Sequence, residues 1–123
     1  MSLKISVTSM NTAGQQVRIL FNVIPTGNYV TGGDTLDFSQ MVQDPAFQGI
    51  FGNIPSSQPA QQIDVWGQNG DLGNHYYPVV GSLQTNNKLK IDSAFNTELS
   101  AAAYPAPVLA DKIVGEAIFA KLL

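Results

Sequence analysis

The 123-residue chain has no cysteine. That excludes a disulfide framework, thiolate metal sites and a thiol nucleophile. Charge is scarce as well: Asp, Glu, Lys and Arg make up 12% of the residues, about half the usual share of a globular domain. Six bases stand against nine acids, a net charge of −3, and only Lys88 and Lys90 lie close together. The basic stripe needed to neutralise phosphates is missing, so nucleic-acid binding is not expected. His75 is the single histidine, so no multi-histidine metal site forms, and a Ser-His pair is testable at that position alone. No apolar run approaches the roughly 20 residues of a membrane-spanning helix. Lys4 is followed by no apolar stretch of signal-peptide length, so neither a membrane anchor nor a secretory leader is expected.

Neutral polar residues take the place of charge, with ten Gln and nine Asn. A surface poor in Lys and Glu costs little to desolvate, which suits a protein held against neighbours. It equally suits an ordinary β domain rich in Asn and Gln turns. The length predicts one domain, able to bury roughly two-thirds of its unfolded surface without disulfide or metal.

Alternation of apolar and polar residues points to strands. Leu3, Ile5 and Val7 alternate with Lys4, Ser6 and Thr8, and Asn11 to Gly14 follows as a turn. Val17, Ile19, Phe21 and Val23 line one face of the strongest strand, Gln15 to Ile24. Thr31-Gly32-Gly33-Asp34 reads as a turn between Tyr29-Val30 and Leu36 to Phe38, since glycine permits positive φ. Residues 39–60 form a long apolar loop without periodicity, with a helical turn expected at Pro45 to Gln48. Gln62 to Trp66 and Tyr76 to Val80 read as a hairpin around Asn69-Gly70. Pro78 demotes the second strand to an edge or bulge. Asn86-Asn87 is a turn before Lys88 to Asp92, whose polar face is expected in water. Glu98 to Ala103 suggests a brief helix stopped by Tyr104-Pro105 and Pro107. Asp111 to Leu122 fits both periods, helix slightly better by pattern and a closing strand by context. About seven short strands between Gly, Pro and Asn turns predict an all-β, single-domain antiparallel β-sandwich, jelly-roll or immunoglobulin-like, with short helical turns.

The candidates for chemistry are modest. His75 reads as a structural or exposed residue at the start of a strand. Asp34 and Asp37 lack the alternating acids and final Glu of a calcium loop. Asp34 is expected as a turn acceptor and Asp37 as a solvent-facing strand residue, with no metal. Gly32-Gly33 has neither the third glycine of a dinucleotide loop nor the Lys-Ser/Thr of a P-loop. No spacing among the nine acids favours a glycosidase pair. Trp66, Tyr76 and Tyr77 fall across the expected hairpin, as a sugar-binding platform or as a core Trp with cross-strand Tyr partners. No enzymatic activity and no cofactor are expected.

Tyr29-Val30-Thr31-Gly32-Gly33-Asp34-Thr35-Leu36-Asp37-Phe38 and Glu98-Leu99 with Tyr104-Pro105 resemble a family of small virion proteins of tailed bacteriophages. Its members often carry an N-terminal strand pair, a Gly-Gly-Asp turn, a central hairpin with a Gly-rich tip and a closing Tyr-Pro segment before a terminal strand. The chain departs from it at residues 43–62, which are longer and more apolar, and at Ile113 to Leu122, which is less β-branched than a clear strand. The resemblance is to head decoration, or cement, proteins. It implies a β-sandwich without catalytic residues, made in the host cytoplasm and placed on the capsid exterior. There it contacts the major capsid protein and copies of itself, as a homo-oligomer. A tail or fibre-base component and a carbohydrate-binding module are the alternatives.

Phe47, Ile50, Phe51 and Ile54 are the interface candidates, because an apolar cluster in a loop must bury itself somewhere. The domain's own core is an equal claimant. Phe51→Asp separates the two, weakening assembly of a folded monomer in one case and unfolding it in the other.

Overall fold

Eight strands make two antiparallel sheets in the structure, a computed structural model that describes residues 3–43, 59–68, 73–94 and 96–120. Sheet I has the order β1 (Leu3–Ala13), β2 (Gln16–Pro25), β8 (Ile113–Ala120), β4 (Ala60–Gly67). Sheet II has the order β3 (Asp34–Leu36), β6 (Asn87–Ala94), β5 (His75–Val79), with β7 (Thr97–Glu98) also on β6. β3 pairs with Asn87 to Leu89 and β7 with Asp92 and Ala94, so the two lie end to end on the side of β6 opposite β5. The fold is an all-β sandwich, as the turn-rich alternation predicts.

The period-2 pattern becomes a core directly. Val17, Ile19, Phe21 and Val23 of β2 are buried against Leu36, Leu89 and Ile91 of sheet II. Each such side chain contributes about 1.5–3 kcal/mol when taken out of water. β1 runs on to Ala13 with a bulge between Val7 and Ser9, so the turn narrows to Gly14-Gln15, where Gly14 takes φ +60°. A 3-10 helix, Phe38–Gln43, occupies the start of the stretch expected as a loop. The Gln40 side chain accepts from the Ile5 N–H at 3.1 Å and donates to the Leu3 carbonyl at 3.2 Å, pinning this helix to β1. The expected helical turn at Pro45 to Gln48 lies outside the described residues.

Three expectations are corrected. β4 and β5 do not form a hairpin: β4 pairs with β8 in sheet I and β5 with β6 in sheet II. The central hairpin implied by the family resemblance is therefore not built from these strands. Successive strands from β2 to β5 alternate between the sheets, a jelly-roll-like wrapping; the expected turn at Asn69-Gly70 lies outside the described residues. The segment from Asp111, whose pattern fits both periods, is a strand over Ile113–Ala120, β8, as its context in a sandwich suggests. Its inner face holds Ile113, Gly115, Ala117 and Phe119. A Cβ on Gly115 would stand 2.5 Å from Phe21 Cζ, so the glycine makes room for that ring. Residues 99–103 are not helical; the helix is α1 (Ala106–Ala110), which starts after Pro105. Proline stops a helix from its interior but suits the first turn, where its missing N–H has no partner to lose. Asp92, expected in water, is buried, 5% exposed, at a position of β6 that pairs with both β5 and β7.

Pro78 does sit on an edge strand, β5. Asn87 is buried and organises the connection between β5 and β6. Its side-chain oxygen accepts from the Gly81 N–H at 2.9 Å, and its amide donates to the Gln84 carbonyl at 3.0 Å. No helix among the described residues is long and apolar enough to cross a membrane.

Candidate functional site

The segments that carry the family resemblance, residues 29–38 and 98–105, are far apart in sequence and locked together in space. Between the stretches of β6 taken by β3 and β7, Ile91 has no strand opposite it on that side. Its N–H donates instead to the Tyr29 hydroxyl at 3.1 Å, and its carbonyl accepts from the Leu99 N–H at 3.0 Å. The Tyr29 hydroxyl in turn donates to Glu98 Oε2 at 2.6 Å, and the Gly32 N–H donates to the same oxygen at 2.6 Å. Tyr104 closes the second half of this clasp by donating to Asp34 Oδ2 at 2.6 Å. The Tyr29 and Tyr104 rings meet edge to face with centroids 6.0 Å apart. Backbone pairing of Asn28 with Ala103, and a Tyr29 N–H to Ala102 carbonyl bond of 2.8 Å, complete it.

The Gly-Gly turn serves this clasp. Gly32 and Gly33 have φ of +89° and +115°, which side chains rarely adopt. A Cβ on Gly33 would also stand 3.0 Å from Lys88 Cβ and 3.1 Å from backbone atoms of β6. Asp34 is more than the expected turn acceptor: it is 5% exposed and takes the Thr35 N–H as well as the Tyr104 hydroxyl. Asp37 is half-buried rather than solvent-facing, and its Oδ1 accepts from the N–H and hydroxyl of Ser39 at 2.9 and 2.6 Å. Both acids are thus committed to local hydrogen bonds, and no group of three His, Cys, Asp or Glu residues gathers among the described residues.

The clasp shapes the electrostatics. Burial, followed by the Glu98 contact, pushes the Tyr29 phenol well above the ordinary tyrosine value. Burial and the carboxylate partner do the same to Tyr104, beside Asp34, and to Tyr76, beside Asp111. The Tyr29 and Gly32 hydrogen bonds hold the Glu98 carboxyl below the usual range. The signs give a stability plateau with two shoulders. A lowered Glu98 stabilises the fold above the unfolded value of about 4.3 and loses that contribution as pH falls through the folded value. The raised tyrosines stabilise it below about pH 10 and lose that contribution as pH rises through their folded values. Melting temperatures across pH are expected to fall on both sides. Tyr29→Phe should soften the acid shoulder, and phenolate absorbance of the buried tyrosines should emerge only with unfolding.

The three aromatic candidates separate. Trp66 lies on the outer face of sheet I and is 45% exposed, while Tyr77 lies on the outer face of sheet II. Tyr76 is 8% exposed and donates to Asp111 Oδ2 at 2.6 Å, tying β5 to the start of β8. They make no common platform, because β4 and β5 belong to opposite sheets and alternate residues of a strand point to opposite faces. Phe47, Ile50, Phe51 and Ile54 lie outside the described residues. His75 is exposed at the start of β5.

Two surface features remain. On sheet II, Tyr77 and Val79 of the edge strand β5, with Val80 and Leu83 beyond it, expose large apolar side chains. On sheet I, a cavity of about 310 Å³ opens beside Trp66, with Asn22, Gln68, Lys112 and Val114 in its wall. The cavity was not legible as a site in the sequence, since it joins residues from separate strands; the strip is one stretch of chain whose exposure only the sheet packing sets. No family model, curated protein or solved structure matches this chain.

Proposed function

We propose that the protein is a structural component of a tailed-phage virion, of the head decoration type. It acts by non-covalent contact with the outer capsid lattice and with copies of itself. The observation that carries this reading is the apolar strip along β5, an edge strand of sheet II among the described residues. Val79 is 50% and Leu83 40% exposed there, beside Tyr77 and Val80. A cluster of large apolar side chains exposed at a sheet edge marks an interaction surface. The low charge of the chain supports it, because little desolvation opposes contact. The family resemblance supplies the partner, and the clasp gives its residues a structural purpose. Several modest contacts per oligomer would hold together, because release requires breaking them at once.

Purified protein mixed with undecorated capsids is expected to cosediment at micromolar concentration and to raise their resistance to heat. Val79→Asp combined with Leu83→Asp should abolish cosedimentation. The melting temperature of the free protein should stay nearly constant, since exposed positions usually shift stability by no more than about 0.5 kcal/mol. Failure of the unaltered protein to associate would overturn the proposal.

A further inference from the structure

The cavity on the outer face of sheet I is centred on one row across the sheet, with Thr8, Leu20 and Gly115 also in its wall. Asn22 of β2 pairs with Val114 of β8, and Val114 pairs with Trp66 of β4. Trp66 and Asn22 therefore stand two strand spacings apart, roughly 9–10 Å, with the half-buried Val114 as the floor between them. Beyond the end of β4, the Gln68 N–H donates to the Lys112 carbonyl at 2.8 Å, which fixes these two residues at the rim. The side chains of Asn22, Gln68 and Lys112 make no hydrogen bond to another described residue. No acid lines the cavity, in a chain with nine acids and six bases.

An apolar occupant would cover these amides and the ammonium without pairing them, which costs free energy at each group. A saccharide meets all of them. The C–H face of a sugar ring packs on a half-exposed indole, whose apolar body gains from being covered. Side-chain amides offer both donors and acceptors to ring hydroxyls. Asp111, the chain neighbour of Lys112, faces the adjoining depression and accepts from the Tyr76 hydroxyl, so within this cavity the Lys112 ammonium favours an anionic group, through a charge-assisted hydrogen bond. We propose that this cavity binds a saccharide bearing a carboxylate, stacked on Trp66, held by Asn22 and Gln68, with its carboxylate on Lys112. The site lies on the opposite sheet from the strip assigned to capsid contact, so the two proposals stand or fall separately.

Trp66 is the lone tryptophan of the chain, so its fluorescence reports on this site alone. The full chain would be titrated with oligogalacturonate, oligoalginate, a hyaluronan tetrasaccharide and sialyllactose, each beside a neutral oligosaccharide of similar length. At least one acidic probe is expected to change the emission saturably, with a Kd of about 1 mM or tighter, and at least several-fold more tightly than its neutral counterpart. Calorimetry on variants then assigns the roles. Trp66→Ala should abolish binding, and Trp66→Tyr should retain part of it. Asn22→Ala and Gln68→Ala should each weaken it about ten-fold. Lys112→Gln should remove the preference for acid while leaving weak neutral binding. Unchanged circular dichroism and melting in Asn22→Ala and Lys112→Gln separate lost recognition from lost fold. No saturable change with any probe up to about 10 mM overturns the proposal. So does binding that survives Trp66→Ala, or an acid preference that survives Lys112→Gln.

Discussion

Phe38→Ala is expected to cost about 3–5 kcal/mol of folding stability, the range for removing a large buried aromatic side chain. Phe38 is fully buried and stands between two other rings. Its centroid is 5.2 Å from that of Phe21, at 82°, and 5.4 Å from that of Phe119, at 81°. Edge-to-face pairs of this kind add about 0.5–1.5 kcal/mol each beyond burial, and alanine forfeits both. Phe21 belongs to β2 and Phe119 to β8, while the Phe38 N–H donates to the Gln84 carbonyl at 3.1 Å. The side chain therefore anchors on sheet I while its backbone is held by the loop that follows β5 in sheet II. Domains of this size are stable by about 5–15 kcal/mol, so the substitution removes a large share of the total and lowers the melting temperature by about 10–20 °C. Phe38→Leu, which keeps most of the volume, should cost about half as much or less. Equilibrium unfolding in urea of the two variants checks both values. A loss below about 1 kcal/mol for alanine would show that the three-ring stack is not the core's centre.

Asp34→Ala is the second large effect expected, at about 2–3 kcal/mol. The substitution leaves the Tyr104 hydroxyl buried without its carboxylate partner, and it removes the acceptor of the Thr35 N–H. A buried donor left unpaired carries its full desolvation cost, while removal of both partners is gentler. Tyr104→Phe alone should be costly, because it strands a carboxylate that is 5% exposed. The double variant should then be less destabilised than the sum of the singles, by about 1–2 kcal/mol. Additive losses in the cycle would mean that the two residues do not act as a pair. If the clasp holds the Gly-Gly turn in place, amide exchange at Gly32 and Gly33 should also quicken in either single variant.

These two sites differ in how visible they were. The inward face of β2 could be read from sequence because Val17, Ile19, Phe21 and Val23 are large and strictly alternating. The Gly-Gly turn was visible because only glycine tolerates its backbone angles. The clasp was not, although Tyr29, Gly32, Asp34, Glu98 and Tyr104 all lie in the two segments that carry the resemblance. Hydrogen bonds such as Tyr29 to Glu98, 69 residues apart in the chain, leave no local periodicity. Trp66 was legible as an aromatic of interest, but not its neighbours: Asn22, Gln68 and Lys112 come from separate segments that only the sheet brings together.

The amino-acid sequence alone carried the strand-rich class, the main core strand, the placing of Pro78 at an edge or a bulge and the absence of thiol chemistry. These depend on composition and on contacts within a few residues. Only the tertiary structure decided that β4 and β5 part into opposite sheets, since an Asn-Gly turn signals a local reversal and carries no information about which sheet receives the next strand. It also decided that the chain closes with a strand. The inner face of β8 includes Gly115 and Ala117, small because Phe21 and its neighbours fill the space above them. A segment whose apolar outer residues, Val114 and Ile118, are larger than half of its buried ones hides its own period. Packing against residues far away in the chain, rather than local propensity, settled its conformation.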